Sequence, residues 1–175
     1  MLGDMDSAPV ITQRPATPYV AITVTVTMDA IADVVPPLTQ EVLAWLEARG
    51  IQPAGPPFWK YNIIDMERGL EIETGLPLAE PFDGPNDGSD RVHAGLLPPG
   101  RYVTVTHVGH PKTLMDATAR LLKWADAQGL TWDVSPSPQG DRWGCRLEIY
   151  RDEPGQDMNE WETELAFRLA DQTAR

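Results

Sequence analysis

A carboxylate and a phenol occur two residues apart in the segment 143–150, which has the β-branched and aromatic content of a strand. Successive side chains of a strand point to opposite faces, which predicts two sets of residues. One face would carry Gly144, Arg146, Glu148 and Tyr150, and the other would carry Trp143, Cys145, Leu147 and Ile149. An acid beside a phenol can bind a cation or exchange protons with a substrate.

An internal repeat supplies partners for this acid. The motif Trp45-x-x-x-x-Gly50 recurs as Trp124-x-x-x-x-Gly129, at an offset of 79 residues (124 − 45). The segments 19–23 and 102–106 match at an offset of 83 (102 − 19), and a tyrosine ends a strand at 61 and again at 150, an offset of 89 (150 − 61). These matches predict a duplication, and the small drift in offset is what loop insertions produce.

Each half reads as strand, helix, strand, strand, and we expect the halves to span about 10–80 and 95–172 of a single domain over 1–175. Residues 1–9 are expected to be flexible, and the Gly/Pro/Asp-rich stretch 81–90 to connect the halves. We interpret Pro36 and Pro37 as a break before the first helix. One β-α-β-β unit leaves a sheet face uncovered, so two should pair about a pseudo-twofold. The predicted fold is α+β, with an antiparallel, barrel-like sheet and a central ligand cleft.

Shifting Glu148 back by 89 residues places Trp59 opposite it, and the same shift places Tyr61 opposite Tyr150. An acid, two phenols and an indole would suit an aromatic cation, through ring stacking and cation–π attraction. The alternatives are a Glu148 in solvent or paired with Arg146 or Arg101, and a Trp59 and Tyr61 in the core. The full set of candidate ligand-binding residues is Glu148, Tyr150, Trp59, Tyr61, Trp161, Phe58 and His107.

Composition narrows the classes of function. The formal net charge of −12 and the lack of a basic stripe argue against direct nucleic-acid binding. With one cysteine, Cys145, no intrachain disulfide can form, and no apolar stretch is long enough to cross a bilayer, so we expect a cytoplasmic protein with no membrane contact. His107 and His110 lack a third ligand nearby, and no nucleophile or phosphate-loop motif occurs, so neither a metal nor a cofactor is expected.

The chain resembles the GyrI-like family, the effector-binding domain of AraC- and MerR-type regulators, as a stand-alone member. The matching segments are 14–22, 55–61, 70–77, 97–102, 107–109, 148–150 and 161–165, with Leu114 and Trp124. The resemblance implies a duplicated β-α-β-β fold whose cleft binds hydrophobic or cationic compounds, with the glutamate of Glu148-Ile149-Tyr150 as the key acid. The chain departs from the family at Gly109-His110-Pro111, where Gly-Pro-Tyr is common.

Three hypotheses of function follow. The first is a sensor or sequestering protein for cationic or amphipathic aromatic compounds, with any transcriptional role exerted through a partner chain because the repeat leaves no room for a helix-turn-helix. The second is a hydrolase of strained cyclopropane-type compounds that uses Glu148 and Tyr150, which the resemblance also implies. The third is a protein-binding regulator, such as a topoisomerase inhibitor.

Overall fold

The computed structural model describes residues 5–83 and 91–172. The strands and helices of these residues are β1 (Met5–Asp6), β2 (Val10–Arg14), β3 (Thr17–Val26), α1 (Ile31–Ala48), β4 (Phe58–Asp65), β5 (Gly69–Pro77), β6 (His93–Leu97), β7 (Gly100–Val108), α2 (Leu114–Ala127), β8 (Val134–Ser137), β9 (Gly140–Trp143), β10 (Arg146–Tyr150) and β11 (Glu162–Arg168). Short 3-10 turns precede α1, α2 and β11. Neither helix of this part of the chain is long and apolar enough to cross a bilayer.

The strands form one antiparallel sheet in the order β1-β7-β11-β10-β4-β5-β3-β6, with β2 also paired to β7. The sheet curls into a half-barrel, which confirms the predicted α+β class. Its two central strands, β4 and β10, come from different halves of the sequence. The strands outside them, β5 and β3 on one side and β11 and β7 on the other, follow in the same order.

The pairing registers confirm the duplication. Val20 of β3 lies opposite Leu76 of β5, and the equivalent residues, Val103 of β7 and Phe167 of β11, lie opposite each other in the second half. The helix ends repeat as well. The N–H of Ile51 donates to the carbonyl of Leu46, and the N–H of Leu130 donates to that of Ala125, at the helical offset of 79 (130 − 51). Trp45 and Trp124 therefore occupy equivalent positions.

Both helices pack on the same face of the sheet. The buried side of α1 (Val35, Leu38, Val42 and Leu46) contacts β3 and β5, and that of α2 (Leu114, Ala117, Leu121 and Ala125) lies over β7 and β11. The helices thus cover the two flanks of the sheet, with the central strands between them. The opposite face buries a separate core that includes Tyr19, Phe58, Tyr102 and Cys145.

Two details differ from the prediction. Pro36 and Pro37 do not break the helix, because they lie inside α1 on its exposed side. The carbonyls that lose a partner belong to the exposed residues Ala32 and Asp33, which water can reach. Burial of the neighbouring Val35 then holds the helix together across the prolines.

The segment 143–150 is also not one strand, since it divides into β9 and β10 at Gly144. The N–H of Gly144 donates to the carbonyl of Asp133 instead of to a partner strand. The break changes the face on which Trp143 lies, so that it packs with Phe167 under α2, whereas Cys145, Leu147 and Ile149 face the other core. Alternation fails here because it requires continuous extended backbone.

The predicted connector and the predicted flexible leading segment lie partly outside the described residues. Of the connector expected at 81–90, residues 84–90 are not described. Of the leading segment 1–9, the structure describes 5–9, in which Met5–Asp6 pairs with β7. The Asp6 carboxylate accepts hydrogen bonds from Arg120 Nε at 2.7 Å and contacts His107 Nδ1 at 2.6 Å, contacts that hold this end against the sheet.

Candidate functional site

Four of the predicted site residues meet where the two central strands pair. Glu148 and Tyr150 project from β10, and Trp59 and Tyr61 from β4. Each is partly exposed, whereas Leu147 and Ile149 between them are buried on the opposite face. These four side chains therefore line the uncovered strip of sheet between α1 and α2, which we call the central cleft.

Two phenols hold the acid. The hydroxyl of Tyr61 donates to Glu148 Oε1 at 2.9 Å, and the hydroxyl of Tyr150 donates to the same oxygen at 2.5 Å. The ring of Trp59 packs edge-on against Tyr150 with 5.0 Å between centroids. Its indole N–H donates to Thr39 Oγ1 of α1 at 3.4 Å, which ties the cleft to that helix.

The second carboxylate oxygen of Glu148 has no hydrogen-bond partner within the described ranges 5–83 and 91–172. Both tyrosines donate to Oε1, and no described residue donates to Oε2. In the described part of the chain, the one buried side-chain nitrogen or oxygen without a partner is Arg14 Nε. Oε2 is therefore open to solvent, whereas both tyrosine hydroxyls hold the other oxygen of the carboxylate.

Burial in the cleft perturbs the ionisation of these groups. It raises the pKa of Glu148 above that of an ordinary glutamate, although the two tyrosine hydrogen bonds and the charge of Arg146 oppose the shift. Burial and the nearby carboxylate raise the pKa values of Tyr61 and Tyr150 well above their usual range, so both remain donors at neutral pH. Burial thus disfavours the ionised form of Glu148, although one of its oxygens is open to solvent.

Neither proposed ion-pair alternative for Glu148 is found. Arg146 shares its face but stacks on aromatic rings, with its guanidinium carbon 4.8 Å from the Trp143 centroid and 4.6 Å from that of Phe167. Arg101 instead donates to the carbonyl of Ala170 at 3.4 Å. Arg146 and Thr39 are the cleft residues that sequence reasoning did not select. The alternation of β10 pointed to Arg146, whereas no local pattern points to Thr39.

Three predicted site residues lie away from this cluster. Phe58 is buried on the opposite face, where its ring packs edge-on against Tyr19 at 5.4 Å. His107 is fully buried, with Nδ1 2.6 Å from Asp6 and Nε2 2.8 Å from Thr113 Oγ1. The Trp161 indole N–H donates to the Gln156 carbonyl at 3.2 Å, and among the described residues no hydrogen bond or ring contact joins it to the cluster.

A second carboxylate, on the opposite face, is largely buried and fully paired. Glu73 of β5 accepts hydrogen bonds from Tyr19 at 2.6 Å and Asn62 at 2.7 Å, and pairs with Lys60 at 3.3 Å. Burial alone would raise the pKa of Glu73, but the charge of Lys60 and these hydrogen bonds outweigh it and lower that pKa. Both oxygens are engaged, so Glu73 has the character of a structural acid.

Other features of the described residues do not suggest a competing site. None of their His, Cys, Asp and Glu side chains form a group of three that could hold a metal ion. Cys145 is buried, and burial raises the pKa of its thiol. A surface depression lined by Ile51, Leu78 and Phe82 lies beside the end of α1 and shares no lining residue with the central cleft.

Residues 7–170 match the family described as GyrI-like small molecule binding domain. Among solved structures, the fold is similar to the EcmrR C-terminal domain, at 19% identity and TM-score 0.69, over 94% of this chain and 98% of that one. It is similar to EcmrR in a DNA complex at 20% identity and TM-score 0.69; 93% of this chain is covered, and the chain spans 57% of EcmrR.

Two further solved structures share the fold. One is SAV2435 bound to tetraphenylphosphonium, at 14% identity and TM-score 0.64, over 94% of each chain. The other is a hydrolase from Listeria innocua, at 14% identity and TM-score 0.55, over 93% of this chain and 91% of that one. No curated protein matches the sequence. At these identities the likeness concerns the fold.

Proposed function

Because this chain belongs to the family of GyrI-like small-molecule-binding domains, we propose that its central cleft binds cationic or amphipathic aromatic compounds and that Glu148 recognises their charge. In this proposal the protein acts in the cytoplasm as a sensor or sequestering protein. The observation that carries it is the free Oε2 of Glu148, oriented by two tyrosines that occupy Oε1. A flat cation could lie against the rings of Trp59 and Tyr150 while its charge faces this oxygen.

The energetics favour a delocalised cation over a small, strongly hydrated one. An aromatic ring in contact with Trp59 or a tyrosine contributes about 0.5–1.5 kcal/mol beyond burial. A cation over such a ring adds roughly 0.5–2 kcal/mol. A delocalised charge also loses less hydration on entry than an ammonium ion. The burial that raises the pKa of Glu148 and the aromatic lining of the cleft therefore both favour a delocalised cation.

The comparisons support the ligand class and the regulatory setting. The similar protein SAV2435 was solved with tetraphenylphosphonium, an aromatic cation, and EcmrR was solved in complex with DNA. The net charge of −12 would attract cations and repel phosphate backbones. We therefore propose that this chain itself does not contact nucleic acid, and that any effect on transcription passes through a protein partner.

The test compares two dyes of the same shape, one cationic and one neutral, on the wild-type protein and on Glu148→Gln. The substitution keeps the size of the side chain and an acceptor for the tyrosines but removes the charge. We expect the cationic dye to lose about 1–3 kcal/mol of binding free energy, the scale of a charged hydrogen-bond partner, and the neutral dye to lose almost none.

Glu162→Gln is the matched control, because it makes the same change at an exposed position of β11. It should leave the affinity of both dyes unaltered. Equal losses for the two dyes in Glu148→Gln would mean that Glu148 maintains the shape of the cleft and does not read the charge of the ligand.

A second candidate function is hydrolysis of strained cyclopropane-bearing electrophiles. A carboxyl with a raised pKa beside a phenol suits general base and general acid roles, and a structure of the same fold is a hydrolase. Glu148 would take a proton from water as the water oxygen bonds to a ring carbon. The strained carbon–carbon bond would break, and its electron pair would take the proton of Tyr150.

The hydrolase candidate is tested with a cyclopropane-bearing electrophile and an ordinary ester in parallel. We expect no ester turnover, because none of the described residues places an activated serine or cysteine in the cleft. Ring opening, if it occurs, should disappear in both Glu148→Gln and Tyr150→Phe. Product formation that continues in Glu148→Gln would exclude this mechanism.

A further inference from the structure

The central cleft contains a positive charge as well as a negative one. Arg146 precedes Glu148 by two residues on β10 and projects from the same face. In the pairing of β10 with β11 it lies directly opposite Phe167. Its guanidinium lies over the rings of Phe167 and Trp143, with 4.6 and 4.8 Å from its central carbon to the two ring centroids. The charge of Arg146 is therefore in cation–π contact with both rings.

The nitrogens of this guanidinium have no hydrogen-bond acceptor in the part of the chain that the structure describes. No described residue accepts a hydrogen bond from Arg146 or forms an ion pair with it. Its nitrogens are not among the buried unpaired atoms of the described residues, so they remain open to solvent. The aromatic rings supply no hydrogen-bond acceptor for the five N–H groups, which form a planar fork matched to a carboxylate, phosphate or sulfonate.

The acids near Arg146 do not use this fork. Glu148 and Asp141 influence it through space, and Tyr61 contributes in the same direction, but none is bonded to it. Burial is the largest influence and lowers the pKa of Arg146, although a guanidinium remains protonated at neutral pH. Burial disfavours the charge of Arg146, and an anionic group of a ligand would offset that cost more fully than water does.

From this arrangement we propose that the cleft selects zwitterionic amphipathic compounds: Glu148 receives the cationic part of the ligand, and Arg146 receives a carboxylate or similar anionic group. The proposal rests on the proposed function and specifies its ligand class further. The two groups come from neighbouring positions on the same face of β10, so one ligand can contact both. A ligand with a cation alone would leave Arg146 unpaired and would meet its repulsion.

The test uses rhodamine B, which has a delocalised cation and a free carboxylate, and its ethyl ester, which keeps the cation and lacks the carboxylate. Fluorescence anisotropy gives the dissociation constant of each dye for the wild type and for Arg146→Met, which keeps an unbranched side chain against the two rings. We expect the wild type to bind the acid at least as tightly as the ester. Arg146→Met should raise the dissociation constant of rhodamine B by about tenfold or more and leave that of its ethyl ester unchanged or lower.

Matched variants separate this proposal from the proposed function. Arg142→Met, at an exposed arginine of β9, should alter neither dissociation constant. Glu148→Gln should weaken both dyes, and if it weakens neither, the proposed function fails. If Glu148→Gln weakens both dyes but the ratio of acid to ester affinity is the same in Arg146→Met as in the wild type, the proposed function survives and the zwitterion proposal is overturned.

If Arg146→Met does not fold, the dissociation constants of the two dyes for the wild type and for Arg146→Lys test the zwitterion proposal. The lysine variant keeps the charge and removes the fork, so it should retain only part of the preference for the acid. A wild-type protein that binds the ester more than tenfold tighter than the acid would overturn the proposal without any variant.

Discussion

Trp59 and Glu148 lie directly opposite each other where β4 pairs with β10. They are also equivalent residues of the two halves, at an offset of 89 (148 − 59). The flanking pairs, Lys60 with Leu147 and Phe58 with Ile149, exchange under the same offset. The pseudo-twofold therefore passes between Trp59 and Glu148. One position of the duplicated site has kept an acid and the other an indole, so the cleft is symmetric in backbone and asymmetric in chemistry.

The first prediction concerns Trp59. Trp59→Leu should weaken binding of a cationic aromatic dye by roughly 0.5–2 kcal/mol, because the proposed site loses the aromatic ring opposite Glu148. Isothermal titration calorimetry measures the loss. Trp45→Leu makes the same change on α1, where the ring packs against Phe82, and it should leave binding unaltered. A similar loss of affinity in both variants would contradict a specific role for Trp59.

The second prediction concerns stability and the charge of Glu148. A carboxyl whose pKa is raised in the folded state binds its proton more tightly there than in the unfolded chain. The contribution of Glu148 to the free energy of unfolding is therefore fully present below the unfolded pKa, falls as the pH rises from there through the folded pKa, and is constant above it. Glu148→Gln should be more stable than the wild type at neutral pH, by on the order of 1 kcal/mol.

This gain should disappear at acid pH, where the glutamate is protonated in both states. Urea unfolding at pH 3.5 and pH 7.5 measures it, with Glu162→Gln as the control at an exposed site. A loss of stability in Glu148→Gln at neutral pH would show that the tyrosine hydrogen bonds outweigh the burial of the charge.

The third prediction concerns the pH dependence of binding. A bound cation favours the ionised carboxylate, so the pKa of Glu148 should be lower in the complex than in the free protein. The affinity for a cationic dye should then decrease by up to tenfold per pH unit as the pH falls through the free-protein pKa, and level off below the pKa of the complex. Dye titrations from pH 4 to 8 test this, and Glu148→Gln should give a flat profile.

The fourth prediction concerns Glu73, whose pKa shift has the opposite sign to that of Glu148. Its pKa is lowered in the folded protein, so its contribution to stability is present above the unfolded pKa and is lost as the pH falls through the folded one. Glu73→Gln should destabilise the protein at neutral pH by roughly 1–3 kcal/mol, since it leaves the charge of Lys60 unpaired. Binding of the cationic dye should be retained at a temperature where the variant is folded.

Urea unfolding at neutral and acid pH, in parallel with Glu148→Gln, measures the contrast between the two acids. If both substitutions changed the free energy of unfolding in the same direction at neutral pH, the division into a functional and a structural carboxylate would be wrong.

The fifth prediction uses the duplication itself. Gly50 and Gly129 end the two helices with φ values of 68° and 71°, and a Cβ at either site would meet nothing within 4 Å. Replacement by alanine therefore introduces backbone strain without a clash, which costs about 1 kcal/mol at each site. Urea unfolding should give closely similar losses for Gly50→Ala and Gly129→Ala, and a neutral effect at one site alone would contradict their equivalence.

The sequence by itself determined the architecture. A repeated Trp-x-x-x-x-Gly motif and strand segments at nearly constant offsets predicted two β-α-β-β halves, because one such unit cannot bury its own sheet face. The offset of 89 residues also placed Trp59 opposite Glu148 and grouped both with Tyr61 and Tyr150. Period-two alternation and duplication are properties of the chain order, so they can be read without coordinates.

Tertiary structure decided the rest. Alternation cannot show that a hydrogen bond from Gly144 to Asp133 breaks the strand and turns Trp143 toward Arg146. Nor can it show that His107 is enclosed between Asp6 and Thr113, or that Phe58 faces the opposite core. Which oxygen of Glu148 is bonded and which is free depends on the directions of two tyrosines from different strands. Hydrogen bonds and ring contacts between segments distant in sequence set these features, and no local pattern of residues encodes them.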